Sequence, residues 1–110
     1  MSFNNPLRIP NQARGTIVDG RRQFRLTIQE GTHEIFPGRE TTTAGVNGPF
    51  LGPTVRLRRG DEVDLLVQNR LSEETSMHWH GMHVPAKMDG TPHQSIGPGQ
   101  DWTASFEVDQ

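Results

Sequence analysis

The 110-residue sequence contains no cysteine. The chain therefore cannot form a disulfide framework, a zinc site with thiolate ligands or a cysteine nucleophile from its own residues. A mononuclear blue-copper site is also excluded within this chain, because such a site needs a cysteine sulfur beside its histidines. Any metal chemistry must depend on other donors, among them the five histidines of the sequence.

Long apolar runs are absent as well. Only 31% of the residues are hydrophobic, and no segment is long enough to predict a bilayer span. The opening sequence, Met-Ser-Phe-Asn-Asn-Pro, lacks the charged and apolar regions of a secretory signal. We therefore expect either an intracellular protein or an exported one whose signal has been removed.

The balance of charge gives no sign of a polyanionic partner. The formal net charge is -2, which gives no reason to expect nucleic acid or an acidic membrane surface as a partner. A local basic run at residues 56–59 is followed at once by acidic residues between 61 and 64. We interpret this run as the solvated end of a strand.

The abundant residues predict an all-β domain. Twelve glycines and eight prolines are typical of short strands and turns, and the length allows one core. Alternation of Phe24, Leu26 and Ile28 with polar residues predicts a half-buried strand over 22–30. The other predicted strands cover 40–46, 54–58, the stretch with Val63, Leu65 and Val67, and 103–108.

These strands predict an antiparallel β-sandwich or Greek-key barrel without a helix. Residues 1–21 are interpreted as an irregular N-terminal arm, and 22–110 as the β domain. Because the sequence stops directly after a predicted strand, we expect a fragment that is incomplete at its C-terminal edge. An open edge of this kind favours pairing between copies, as a homo-dimer or a strand-swapped oligomer.

The sequence Met-His-Trp-His-Gly at residues 77–81 carries the candidate metal ligands. On an extended strand His78 and His80 lie on one face and Trp79 on the other. Two adjacent imidazoles can serve one metal ion or two neighbouring ions, and copper, zinc, iron and nickel all accept this ligand. An ordinary pair of polar residues on a half-exposed strand would have the same spacing.

Other residues near this pair have simpler interpretations. Continued alternation places His83 on the face of Trp79, unless a bend at Gly81 changes the count. His93 lies in the Pro- and Gly-rich loop 84–100, and His33 is remote in sequence. We expect Trp79 and the methionines at 77, 82 and 88 to be packing residues, although thioethers also bind Cu(I).

Six short segments together carry a family resemblance. They are Leu-Gly-Pro-Thr at 51–54, Arg-Gly-Asp at 59–61, Asn-Arg-Leu-Ser-Glu-Glu-Thr at 69–75, Met-His-Trp-His-Gly-Met at 77–82, Met-Asp-Gly-Thr-Pro at 88–92 and Gly-Pro-Gly-Gln at 97–100. With them the sequence resembles the multicopper oxidases, and specifically the first cupredoxin domain of the bacterial three-domain cuprous-oxidase and laccase type. The resemblance covers roughly residues 22–110.

The resemblance implies a cupredoxin-like fold and a role in copper chemistry. The family holds a three-copper cluster with four His-x-His segments, and this cluster reduces dioxygen to water. By position in the motif, His78 resembles a ligand of the type 2 copper and His80 a ligand of one type 3 copper. Asp89 resembles the acidic residue that relays protons through water, although Asp-Gly-Thr-Pro is also a good turn sequence.

The resemblance also limits what this chain can do. The next His-x-His is expected a few residues beyond Gln110, so only two of eight cluster histidines are present. We expect the chain alone to be inactive, with the remaining oxidase domains, copper ions and dioxygen as partners of the parent. The parent would oxidise cuprous ion or phenol-like reductants, and the resemblance implies that it is periplasmic or exported.

Two other functions remain open at this point. The chain could belong to a copper-free binding or structural protein that keeps the cupredoxin scaffold, as some oxidase relatives in cell division do. It could also be a small metal-binding domain whose copies share histidines across a symmetric interface.

Overall fold

The computed structural model describes residues 8–90 and 92–110. These residues form one five-stranded sheet and a 3-10 helix at Ala86–Met88. The strands are β1 (Thr16–Val18), β2 (Arg21–Phe36), β3 (Arg39–Val46), β4 (Glu62–Asn69) and β5 (Asp101–Glu107). The all-β prediction is therefore confirmed. Within the described ranges, no helix is long and apolar enough to cross a membrane.

The long strand β2 organises the sheet, whose order is β1-β2-β4-β5. One edge of β2 pairs with β4, and β1 and β3 share the other edge. The β2–β4 pair is parallel, with Arg22 opposite Val63 and Ile28 opposite Asn69, whereas the other pairs are antiparallel. The prediction of a purely antiparallel sheet is wrong at this pair, because the connection over 47–61 returns the chain to the starting end of β2.

Several predicted boundaries also change. The strand predicted over 22–30 extends to Phe36 in β2, and the predicted strand 54–58 has only an isolated bridge, between Thr54 and Gln12. The interpretation of 1–21 as irregular is wrong for β1. Residues 1–7 of that stretch lie outside the described residues.

The core lies on one face of the sheet. Its buried apolar residues are Phe24, Leu26, Ile28, Val63, Leu65, Val67, Ile96, Ala104, Phe106 and Val108. Extended segments that form no regular strand pairing cover this face. Their residues that pack against the core include Val55, Leu57, Trp79 and Met82. The segment with the candidate histidines is thus held by the core as the second layer of the sandwich.

The other face of the sheet carries a polar network around Asp64. Its carboxylate accepts hydrogen bonds from Arg21 Nε at 2.8 Å, Gln23 Nε2 at 3.1 Å and Ser105 Oγ at 2.8 Å. Burial raises the pKa of Asp64, but the bonds from these three side chains outweigh it, and the pKa lies below the ordinary value. The ionised carboxylate therefore stabilises the folded chain.

We expect Asp64→Asn to be less stable than the wild type at neutral pH. Since the folded-state pKa of Asp64 is depressed, its contribution is present above the unfolded-state pKa. It is lost as the pH falls through the folded-state pKa. Urea unfolding at a series of pH values should show the difference between the two proteins closing on acidification. Glu62→Gln, at a half-exposed partner of Arg21, is the control and should change little; an Asp64→Asn deficit that is constant with pH would contradict the assignment.

Candidate metal centre

The candidate histidines lie on an extended segment that begins at Thr75. Thr75 and Ile96 exchange two backbone hydrogen bonds, of 3.1 and 2.7 Å, and form an isolated antiparallel bridge. Beyond this bridge, residues 76–79 pair with no strand in the described chain, so the prediction of a regular histidine strand is wrong. The alternation of side chains nevertheless holds, because Trp79 is half-buried while His78 and His80 are exposed.

The two histidines are close neighbours. The ring centroids of His78 and His80 are 5.5 Å apart, and the ring planes are inclined at 68°. Both rings lie on the exposed side of the segment, opposite the residues that pack on the core. The geometry thus presents two imidazoles together towards solvent, as the sequence predicted.

Asp89 closes the site from a separate loop. The Nδ1 atom of His78 is 3.0 Å from the backbone oxygen of Asp89 and 3.1 Å from its Oδ1. Because a carbonyl oxygen only accepts hydrogen bonds, Nδ1 carries a proton and donates it to this carbonyl. In the neutral ring the lone pair is then on Nε2, which is free to bind a metal ion.

One oxygen of the Asp89 carboxylate has no hydrogen-bond partner among the described residues. This oxygen, Oδ1, is buried. The nearby Nδ1–H of His78 is directed to the carbonyl, so the 3.1 Å separation is an electrostatic contact and not a hydrogen bond. A buried acceptor without a donor is costly, and it is suited to a hydrogen bond from a water molecule.

Trp79 connects the histidine segment to the Asp89 loop. Its Nε1–H donates a 2.8 Å hydrogen bond to the carbonyl of Met88, and its ring stacks on Trp102 with the centroids 6.4 Å apart. The predicted packing role of Trp79 is confirmed, and the hydrogen bond adds a second role that the sequence did not indicate. Met77, Met82 and Met88 pack against the core, as predicted.

Asn69 was not among the residues that the sequence singled out for the site. It anchors both loops that lead to the site. Its side chain is fully buried. Nδ2 donates to the carbonyls of Glu73 and Ile96 at 2.9 Å each, and Oδ1 accepts from the Leu71 amide at 2.9 Å. These bonds fix the segment before Thr75 and the carbonyl of Ile96, and thus both chain segments that form the bridge from which the histidine segment starts.

The other histidines do not join the pair. Gly81 has a φ of 83° and resets the alternation, so that Met82 is half-buried and His83 exposed. His83 therefore does not lie on the face of Trp79; its Nδ1 is 3.3 Å from Asp109 Oδ1. His93 is exposed, and His33 stacks on the ring of Phe50.

This donor set fits part of a metal site. Two imidazoles and a neighbouring carboxylate are suitable donors for a transition metal, and His78 has the second-sphere hydrogen bond that metal-binding histidines commonly make. Within residues 8–90 and 92–110, however, no three histidine, aspartate or glutamate side chains are grouped closely enough to hold an ion. A complete site needs ligands from elsewhere.

The chain is similar to curated proteins named as multicopper oxidases, copper resistance proteins and cell division proteins. It is 42% identical over 92 residues to a multicopper oxidase of Staphylococcus aureus, covering 84% of this chain and 21% of that protein. It is 44% identical over 91 residues to copper resistance protein A of Escherichia coli, covering 80% and 15%. It is also 36% identical over 107 residues to cell division protein FtsP of Escherichia coli, covering 96% and 22%.

Solved structures agree with this similarity. A laccase from Pediococcus acidilactici matches with a TM-score of 0.90 and 33% identity, over 100% of this chain and 24% of that one. A laccase-like multicopper oxidase from Ochrobactrum sp. matches with a TM-score of 0.87 and 39% identity, over 96% and 23%. The predicted cupredoxin-like fold is thereby confirmed.

The family model for multicopper oxidases matches residues 27–110. The chain spans about a fifth of the length of the first curated relatives that it matches, since it covers 21% of each. The chain belongs to the multicopper oxidase family.

Proposed function

We propose that this chain supplies one His-x-His segment to the trinuclear copper cluster of a multicopper oxidase. In this proposal His78 binds the type 2 copper and His80 binds one type 3 copper. The observation that carries it is the pair of exposed rings with centroids 5.5 Å apart, one of them fixed by Asp89 through Nδ1. Copper supplies the redox chemistry that passes electrons to dioxygen.

In this proposal the chain's own residues orient a metal ligand and supply protons for the reduction of dioxygen. The hydrogen bond from His78 to the Asp89 carbonyl fixes the ring and its tautomer, so that Nε2 carries the lone pair and is the ligand atom. Reduction of dioxygen to water also consumes protons, which a carboxylate can deliver by general acid–base transfer. We assign this relay to Asp89, because its buried Oδ1 has no hydrogen-bond donor and can accept one from water.

The parent enzyme oxidises cuprous ion or phenol-like reductants in this proposal. Support comes from similarity to proteins named laccase and copper resistance protein A. The chain alone should be inactive, since the remaining copper ligands must come from other domains. We also propose that the protein acts in the periplasm or after export.

A copper-free scaffold protein is the second candidate. It rests on the similarity to cell division protein FtsP from Escherichia coli, at 36% identity, because this name points to a role other than oxidation. The presence of both His78 and His80, with the ring of His78 already fixed, argues for copper binding instead. The two candidates differ in one property that is directly measurable, which is the affinity of this site for copper.

We expect His78→Ala and His80→Ala each to weaken Cu(II) binding at least about tenfold, equivalent to about 1.4 kcal/mol. Each substitution removes one of only two adjacent imidazoles. Calorimetric titration of the chain with Cu(II) measures this, and His93→Ala, at an exposed histidine outside the site, is the matched control. Equal affinity in all three variants and the wild type would exclude the proposed site and favour the scaffold function.

The same variants test the parent activity. In an oxidase that contains this segment, His78→Ala and His80→Ala should abolish dioxygen consumption. The blue absorption of the separate mononuclear copper should remain, because its ligands lie outside this chain. Persistent dioxygen consumption in both variants would contradict the assignment.

A further inference from the structure

The turn that contains Asp89 is held from both sides by one carboxamide. Gln94 Oε1 accepts a 2.8 Å hydrogen bond from the Gly90 amide, and Gln94 Nε2 donates a 3.3 Å bond to the Ala86 carbonyl. Ala86 and Gly90 lie on either side of Asp89 in the chain. Of the natural side chains of this length, only glutamine offers an acceptor and a donor on one rigid plane.

The remaining backbone groups of this turn are also tied. The Met88 carbonyl accepts from Trp79 Nε1, and the Asp89 carbonyl accepts from His78 Nδ1. The Asp89 side chain, by contrast, has an oxygen that is buried and without a hydrogen-bond partner. The backbone thus determines where this carboxylate lies, since its own Oδ1 is held by no hydrogen bond.

We propose that Gln94 is a positioning residue for Asp89. The inference rests on the proposed function, in which Asp89 relays protons beside His78. Without Gln94 the buried Gly90 loses the acceptor of its amide, and the loop over 86–94 loses the bond that joins its two ends. The carboxylate then no longer has a fixed place next to the His78 ring.

The first test needs no metal. We expect Gln94→Leu to increase the hydrogen exchange rate of the Gly90 amide at least tenfold in the metal-free chain, relative to amides of β4. Gln94→Glu keeps the acceptor for this amide and should retain most of its protection. His93→Ala, in the same loop but exposed, should leave the rate unchanged. An unchanged Gly90 rate in Gln94→Leu would overturn the proposal.

The second test separates this inference from the proposed function. In an oxidase that contains this segment, Gln94→Leu should lower kcat for dioxygen reduction about tenfold and leave the KM for the reductant unchanged, as Asp89→Asn should. A loss of kcat in Asp89→Asn without one in Gln94→Leu would overturn the role of Gln94. No effect in Asp89→Asn would instead reject the proton relay, and Gly90 exchange alone would then decide whether Gln94 positions the turn.

Discussion

Replacing Asn69 with alanine should lower the free energy of unfolding by about 3 kcal/mol. The side chain is fully buried and makes three hydrogen bonds, all to backbone groups. Each bond contributes about 1 kcal/mol, and the half-buried Leu71 amide, which loses its acceptor, adds to the loss.

The effect should extend to the candidate metal centre. The carbonyls bound by Asn69 belong to Glu73, two residues before the bridge that starts the histidine segment, and to Ile96, which is part of this bridge. If these loops loosen, His78 loses its fixed distance from Asp89. Cu(II) affinity should therefore fall in Asn69→Ala, although residue 69 is not among the proposed ligands.

Urea unfolding of Asn69→Ala, Asn69→Asp and Gln68→Ala tests this role. Gln68 neighbours Asn69 but makes one side-chain hydrogen bond, with Thr27 at 3.3 Å, so its replacement should cost about 1 kcal/mol or less. Asn69→Asp places a carboxylate against two carbonyl oxygens, which disfavours its charged form in the folded state. The destabilisation caused by Asn69→Asp, relative to the wild type, should therefore decrease on acidification. Equal losses for residues 68 and 69 would show that Asn69 is not the anchor.

The strands could be predicted because their periodicity is strict. Val63, Leu65 and Val67 alternate with residues of the opposite face, and all three are buried in β4. The parallel pairing of β2 and β4 could not be predicted, since direction depends on the path of the connection and not on side-chain period. Residues 54–58 have the period of a strand but only one isolated bridge among the described residues.

Part of the candidate site could also be predicted from the alternation of side chains. The facing of His78 and His80 follows from local alternation, whereas the approach of Asp89 was expected only from the family resemblance. Trp79 Nε1 and Gln94 bind backbone atoms in a loop, and such contacts leave no pattern in the sequence. Asn69, by contrast, did leave a pattern in the sequence. It is a polar residue that continues the alternate buried positions of Val63, Leu65 and Val67 in β4, and a buried polar side chain usually has a structural reason.

Gly90→Ala is expected to be the most damaging single substitution near the site, with a loss of about 4 kcal/mol. A Cβ atom at residue 90 would overlap the carbonyl of Met77 and lie 3.3 Å from the backbone nitrogen of His78. These obstacles are backbone atoms, which cannot rotate away as a side chain can. The Asp89 turn and the histidine segment would have to separate, and the contact between Asp89 and His78 would be broken.

Gly38→Ala is the matched control, because it introduces the same backbone strain without the overlap. Gly38 has a φ of 77°, similar to 65° at Gly90, but a Cβ there would meet nothing within 4 Å. Its replacement should cost about 1–2 kcal/mol, from the left-handed conformation alone. Thermal or urea unfolding gives both losses, and Cu(II) titration should show a fall in affinity for Gly90→Ala only. Similar losses in the two variants would mean that the segments are free to move apart at little cost, and that the short approach of Gly90 does not hold His78 against Asp89.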